Sequence, residues 1–174
     1  KIAHDNTLDD YHVAIAHPTT LHREQGPVRD YLHRFSRHNN LLETPHPDGG
    51  RFLTFGLPPW SHLLVWPDGR LAFLEFMPDL HDRCTMQLRL FATSDAMDSA
   101  SADAWLMQLL TFLEEDKALV ESAQHGYRDE FKPGPPHRLE RRILHWQGLY
   151  RERLGLAGIS IVERSQEAIS ALRS

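Results

Sequence analysis

Two histidines near the start of the chain, His12 and His17, stand five residues apart, with Asp9 three residues before the first. Neutral imidazole is the commonest side-chain ligand for a catalytic metal. An i,i+5 pair does not share a face of a regular helix, but Pro18 disfavours helical backbone at His17. The break can swing that ring back toward His12. Asp9 shares a helical face with His12 and is placed to accept its second ring N–H, which would fix the tautomer of a metal ligand. A third group lies roughly a hundred residues on. At ~100° per residue, Trp105, Leu109, Phe112, Leu113, Leu119, Val120 and Ala123 form one stripe of a long helix, and Asp116 falls in its middle. Its neighbours Glu114, Glu115, Lys117 and Glu121 point toward solvent. A carboxylate on a core-facing stripe needs a metal, hydrogen bonds, a salt bridge to a buried Arg, or a kink that reaches water.

Together, two histidines and one carboxylate make the facial set of mononuclear non-haem Fe(II) oxygenases. The same three ligands can hold a catalytic zinc, and spacing does not decide between the metals. Twelve histidines in 174 residues make chance pairs common. His22, His33, His38, His46, His81 and His137 lie in polar or loop contexts and are expected to be solvated, with His145 on a helix surface beside Trp146. The formal charge of -5 offers no electrostatic footprint for nucleic acid or an anionic membrane. The single cysteine, Cys84, excludes an internal disulfide and any iron–sulfur cluster held by this chain alone. No apolar run approaches the ~18 residues of a membrane helix and no signal-peptide pattern is present, so the expected location is cytoplasmic.

The elements that must position these groups are legible in outline. Residues 8–16 have helical spacing, and the polar stretch 19–50 reads as a short helix near 28–33 followed by loop. Residues 51–55, 62–66, 70–76 and 85–90 read as antiparallel strands, with Asp68-Gly69 as a hairpin turn and Met86, Leu88 and Leu90 on one face. A long helix over 99–125 opens on the capping cluster Asp98, Ser99 and Ser101 and ends at Gly126 and the Pro133–Pro136 loop. A last helix spans 138–154, with Leu139, Ile143, Trp146 and Tyr150 on one stripe, and the tail after Gly155 reads as a short strand or helix. Phe52, Phe55, Trp60, Trp66, Phe73 and Phe76 are core or pocket aromatics. The order gives an α+β domain with helices packed on an antiparallel sheet.

The pattern Asn6-x-x-Asp9-x-Tyr11-His12-x4-His17, followed by Pro18-Thr19-Thr20-Leu21, resembles the iron-binding segment of the Rieske non-haem iron oxygenase α-subunits of the aromatic-ring-hydroxylating type. Residues 115–126, with Asp116 and Gln124, resemble that family's second signature. The stretch from Pro133-Gly134 through 140–150 fits the usual ending, while 24–60 matches loosely. The resemblance implies a helix-grip fold (START/Bet v 1-like), a curved antiparallel sheet gripping a long helix, with substrate held over the metal. It implies mononuclear Fe(II) on His12, His17 and Asp116, with Asp9 as the carboxylate bridging a neighbouring subunit's Rieske-cluster histidine to His12. It further implies dioxygen and a small organic substrate, hydroxylated, dihydroxylated or demethylated. Electrons would come from NAD(P)H through a reductase and a [2Fe–2S] cluster outside this chain, in a homo-oligomer, commonly a trimer. Residues 1–174 then form one mononuclear-iron catalytic domain without its Rieske domain, expected to be inactive alone. The start at Lys1 fits an excised domain better than a natural split subunit. The alternatives are a helix-grip ligand-binding domain without redox activity and a zinc hydrolase on the same triad.

Overall fold

Strands form here because side chains alternate between an apolar interior and the opposite sheet face. The computed structural model describes residues 1–93, 97–127 and 134–155. Helices α1 (Ile2–Leu8) and α2 (Val13–Ala16) are followed by 3₁₀ turns at Leu21–Glu24 and Val28–Asp30. Six strands come next: β1 (Leu32–Phe35), β2 (Asn40–Pro45), β3 (Arg51–Leu57), β4 (Ser61–Val65), β5 (Leu71–Leu80) and β6 (Arg83–Phe91). Helices α3 (Ser99–Gly126) and α4 (Arg141–Arg153) complete the described residues. The sheet is an antiparallel meander in the order β1-β2-β3-β4-β5-β6.

Its inner face presents Phe52, Leu64, Ala72, Leu74 and Phe76 to Trp105, Leu109, Phe112 and Leu113 of α3, which together form the core. Trp66 joins Phe52 and Trp105, with ring centroids 4.9 and 5.4 Å away. Met86, Leu88 and Leu90 of β6 pack at the core's edge on the face their alternation predicts. Phe55 and Phe73 lie on the opposite sheet face, in register through Leu63. The Asp68-Gly69 turn joins β4 and β5, with Gly69 at φ +89°, a conformation glycine tolerates without a Cβ clash. Asp98 caps α3 by accepting from the Ser101 amide at 2.8 Å. The α+β class and the sheet packed on a long helix agree with expectation. Among the described residues, no helix is long and apolar enough to cross a membrane.

Four local readings are corrected. The expected helix over 8–16 is two helices with a non-helical link, because Asp9 takes extended backbone (φ −86°, ψ 104°) and ends α1. The expected helix at 28–33 is a single 3₁₀ turn running into β1. Strand β2 escaped notice because two of its three inward positions are the polar Asn40 and Thr44, so it shows no apolar alternation. On α3 the stripe is buried only as far as Leu113; Leu119 is exposed and Val120 lines a cavity. The tail readings for 156–174 and the Pro133 end of the loop lie outside the described residues.

Candidate metal centre

Helix α2 is a single turn, and the two histidines sit at its ends: His12 as N-cap and His17 as C-cap. His17 leaves helical geometry (φ −121°, ψ 46°) directly before Pro18, as the steric restriction on a pre-proline residue requires. The two rings stand 5.3 Å apart between centroids. The proline break thus does converge the i,i+5 pair.

Helix α3 brings the carboxylate. Asp116 Oδ1 lies 2.9 Å from His17 Nε2 and 3.4 Å from His12 Nε2, and one ligand atom from each residue falls within a 4.8 Å cluster. Metal–nitrogen and metal–oxygen bonds of ~2.0–2.2 Å place neighbouring ligands ~3 Å apart. Among the described residues, buried His12 Nε2 has no hydrogen-bond partner, an orphan that a cation would satisfy. The donor set of two imidazoles and one carboxylate suits Fe(II) or Zn(II).

The outer ring nitrogens are both engaged. His12 Nδ1 faces the backbone carbonyl of Asp9, and His17 Nδ1 lies 2.7 Å from Glu115 Oε2. Each Nδ1–H donates outward, so each Nε2 lone pair points inward. The Asp9 carboxylate, expected to hold His12, is 4.0 Å from Nδ1. The chain has already left the helix at Asp9, so its carbonyl turns toward the ring instead. Glu115, read from the sequence as solvent-facing, reaches back to His17 and also accepts from Thr20 Oγ1 at 2.8 Å. Only its adjacency to Asp116 could have drawn attention to it. Asn6 donates to Asp116 Oδ1 at 2.7 Å.

The electrostatics follow from these contacts. Burial by itself raises the Asp116 pKa, but the flanking His12 and His17 imidazoles and the Asn6 amide hold it well below the usual carboxylate range. Burial pulls the His17 pKa down, yet Asp116 and Glu115 outweigh it and the net shift is upward. With a carboxylate oxygen on each ring nitrogen, His17 calls for a cation at Nε2, whether proton or metal.

Asp116 and Asn6 also line a cavity of about 810 Å³ between α1, α3, α4 and the far ends of β5 and β6. Trp60, Phe76, Met86, Leu113, Trp146 and Tyr150 supply much of its apolar wall. Of the six aromatics singled out, Trp60 and Phe76 therefore face this space. His4 lines it too, 1% exposed, with neither ring nitrogen hydrogen-bonded. Burial lowers its pKa to about 4 against an opposing pull from the Ser61 backbone, so it is neutral near pH 7.

Several histidines expected to be solvated are not. The His33 side chain is buried against Asp10 at 2.7 Å, and that of His46 is buried against Glu24 at 3.0 Å. His22 is half-buried, with Nδ1 unpartnered. His38, His81 and His137 are exposed as expected. His62 is buried on β4. Arg142 of α4, which no sequence feature flagged, is completely buried and paired with Asp10 at 2.7 Å. A buried Arg does exist, but its partner is Asp10 and not Asp116.

Comparison with known proteins bears on the fold and the family. The family described as ring hydroxylating alpha subunit (catalytic domain) matches residues 1–156. The quaternary ammonium Rieske monooxygenase CntA, in complex with an inhibitor, superposes with a TM-score of 0.73 at 21% identity, over 87% of this chain and 45% of that one. The same enzyme with gamma-butyrobetaine gives 0.68 at 22%, over 87% and 43%. A further structure, reported for carnitine oxidation by gut microbiota and inter-subunit electron transfer, gives 0.73 at 20%, over 87% and 46%. The chain thus spans about 45% of the length of the first of these enzymes. No curated protein matches it. The convergence of His12, His17 and Asp116 beside an apolar cavity occurs in a chain that belongs to the ring-hydroxylating alpha-subunit catalytic domains, a family of oxidoreductases.

Proposed function

We propose that this chain is the mononuclear-iron domain of a Rieske-type oxygenase that hydroxylates, dihydroxylates or demethylates a small organic substrate. The observation that carries the proposal is the meeting of His12 Nε2, His17 Nε2 and Asp116 Oδ1, of which Asp116 also lines the 810 Å³ cavity. These three residues hold Fe(II). The bound iron supplies the chemistry that lets dioxygen react with an organic molecule.

The chain's own residues prepare the site. The Asp9 carbonyl and the Glu115 carboxylate fix the two tautomers so that Nε2 carries the lone pair. Asn6 orients Asp116 through its amide. Trp60, Phe76, Trp146 and Tyr150 exclude water and offer flat apolar contact to the substrate. His4 is a neutral polar group of this wall whose ring nitrogens meet no hydrogen-bond geometry with a partner among the described residues. It offers one hydrogen bond to a substrate oxygen or nitrogen.

Electrons enter from outside the chain, from a [2Fe–2S] Rieske cluster fed by an NAD(P)H-dependent reductase. Asp9 is the bridge between His12 and a cluster ligand on a neighbouring subunit, in a trimer-type assembly. What supports this reading is that the Asp9 carboxylate accepts from the Tyr11 amide at 3.3 Å, lies 4.0 Å from His12 Nδ1 and makes no ion pair with a Lys or Arg among the described residues. The inter-subunit electron transfer reported for the quaternary ammonium monooxygenase supports it too. Residues 1–174 serve as one catalytic domain, in a cytoplasmic enzyme.

Anaerobic Fe(II) titration of the chain tests the core of the proposal. One equivalent should bind, and His12→Ala and Asp116→Ala should each abolish it. Binding of Zn(II) with hydrolytic turnover in the absence of dioxygen would replace the oxygenase with a hydrolase. Failure to bind either metal would leave an apolar-ligand carrier.

A further inference from the structure

Arg142 is the first turn of α4, 0% exposed, and four of its hydrogen bonds go to three other elements. Nε donates to Asn40 Oδ1 of β2 at 2.8 Å, and one terminal nitrogen to Thr54 Oγ1 of β3 at 2.9 Å. The same nitrogen donates to Asp10 Oδ1 at 2.7 Å, and the other to the Thr54 carbonyl at 3.0 Å. Asp10 is itself 2% exposed, and its second oxygen lies 2.7 Å from His33 Nε2 of β1. Asp10 belongs to the non-helical link between α1 and α2, the link whose Asp9 carbonyl fixes His12. No strand pairs with this link among the described residues. Its deep anchor is the Asp10 carboxylate, clamped by Arg142 on one side and His33 on the other.

A buried ion pair is a weak device for stability, since well-packed apolar residues do as well or better. Its use lies in fixing one arrangement, as a rigid guanidinium fork does. Resting on the metal reading above, we infer that Arg142 is a positioning residue of the metal centre. Through Asp10 it holds the Asp9–His12 link on the sheet, so the docking of α4 sets where His12 Nε2 sits relative to His17 and Asp116. Arg142 touches neither metal nor substrate.

Cobalt(II) is a suitable probe because its visible spectrum reports ligand geometry, and its affinity can be read without turnover. The double variant Arg142→Met/Asp10→Leu leaves no buried charge and is expected to stay folded by circular dichroism. It should bind Co(II) about 10- to 100-fold more weakly, the range for loss of groups that orient metal ligands, with a shifted d–d spectrum. Arg142→Gln, which keeps hydrogen bonding toward Asn40 and Thr54 while giving up the ion pair, is the second variant and should show the same loss. Asp10→Asn, which still accepts from Arg142, should stay within a few-fold of wild type. A folded double or Gln variant with wild-type affinity and spectrum would overturn the proposal alone. A wild-type chain that binds no metal would overturn the metal reading and this inference with it.

Discussion

Acid should destabilise this domain through His4, whose burial opposes protonation. The ring is buried between Trp146, at 5.0 Å, and Phe76, at 6.1 Å, and among the described residues neither nitrogen has a partner in hydrogen-bond geometry. Its pKa is about 4 in the folded chain against 6.5 when free, chiefly because burial penalises the imidazolium. A folded-state pKa below the unfolded one means the unfolded chain binds the extra proton first. The stability is therefore intact above pH ~6.5 and is lost as pH falls toward 4. Between pH 7 and pH 4.5 the loss from this one group is about 2 kcal/mol. His62 moves in the same direction and, with the carboxylates, supplies a common background. His4→Phe isolates the effect: the ring fits beside Trp146 and Phe76, the adjoining cavity gives it room, and it cannot titrate. Urea unfolding of the metal-free chain, followed by tryptophan fluorescence at the two pH values, gives both stabilities. The variant should be at least as stable as wild type at pH 7 and should gain about 2 kcal/mol on it by pH 4.5. A difference between the two proteins that is the same at both pH values would refute the reasoning.

Glu115→Gln, which removes the carboxylate facing His17 Nδ1, should weaken Fe(II) or Co(II) binding about 10- to 100-fold in a direct titration, with little change in melting temperature. Because Asp116 and Glu115 raise the His17 pKa, metal must displace a proton there. The measured Kd should therefore tighten as pH rises from 6 to 8, by up to about tenfold per unit, and a flat profile would exclude His17 as a ligand. Asp9→Ala in the full-length enzyme should retain iron, by metal analysis, and lose turnover; wild-type oxygenation rates would remove the bridging role. Gly56→Ala should cost about 1–3 kcal/mol in urea unfolding, since a Cβ there would stand 2.5 Å from Asn40 Oδ1 and 2.7 Å from Leu8 Cδ2.

How far the sequence reached depended on whether the determining contacts were local. The β4–β5 hairpin, the alternation of β6 and the capped start of α3 are set by neighbours in the chain, and all three were legible. So was the grouping of His12, His17 and Asp116, which the structure brings together, because these residues are unusual where they stand: paired histidines before a proline, and a carboxylate on an apolar stripe. Strand β2 was not legible, since Asn40 and Thr44 occupy inward positions that alternation assigns to apolar residues. The burial of Asn40 makes sense only once Arg142 is beside it, and Thr44 is satisfied by donating to the Phe52 carbonyl. Arg142 itself reads as a surface residue, lying between Arg141 and Ile143 at the start of a polar helix. Its partners Asp10, Asn40 and Thr54 stand 132, 102 and 88 residues away.

The sequence by itself determined the types and order of the candidate site residues and the class of fold, because residue chemistry and short-range periodicity are written along the chain. Tertiary structure decided which atoms orient them. It chose the Asp9 carbonyl over its carboxylate, turned Glu115 back onto His17, and left His4 without a partner on the cavity wall. Those choices depend on distances of a few ångströms between segments far apart in sequence, and a hydrogen bond weakens steeply when distance or angle departs from its narrow optimum.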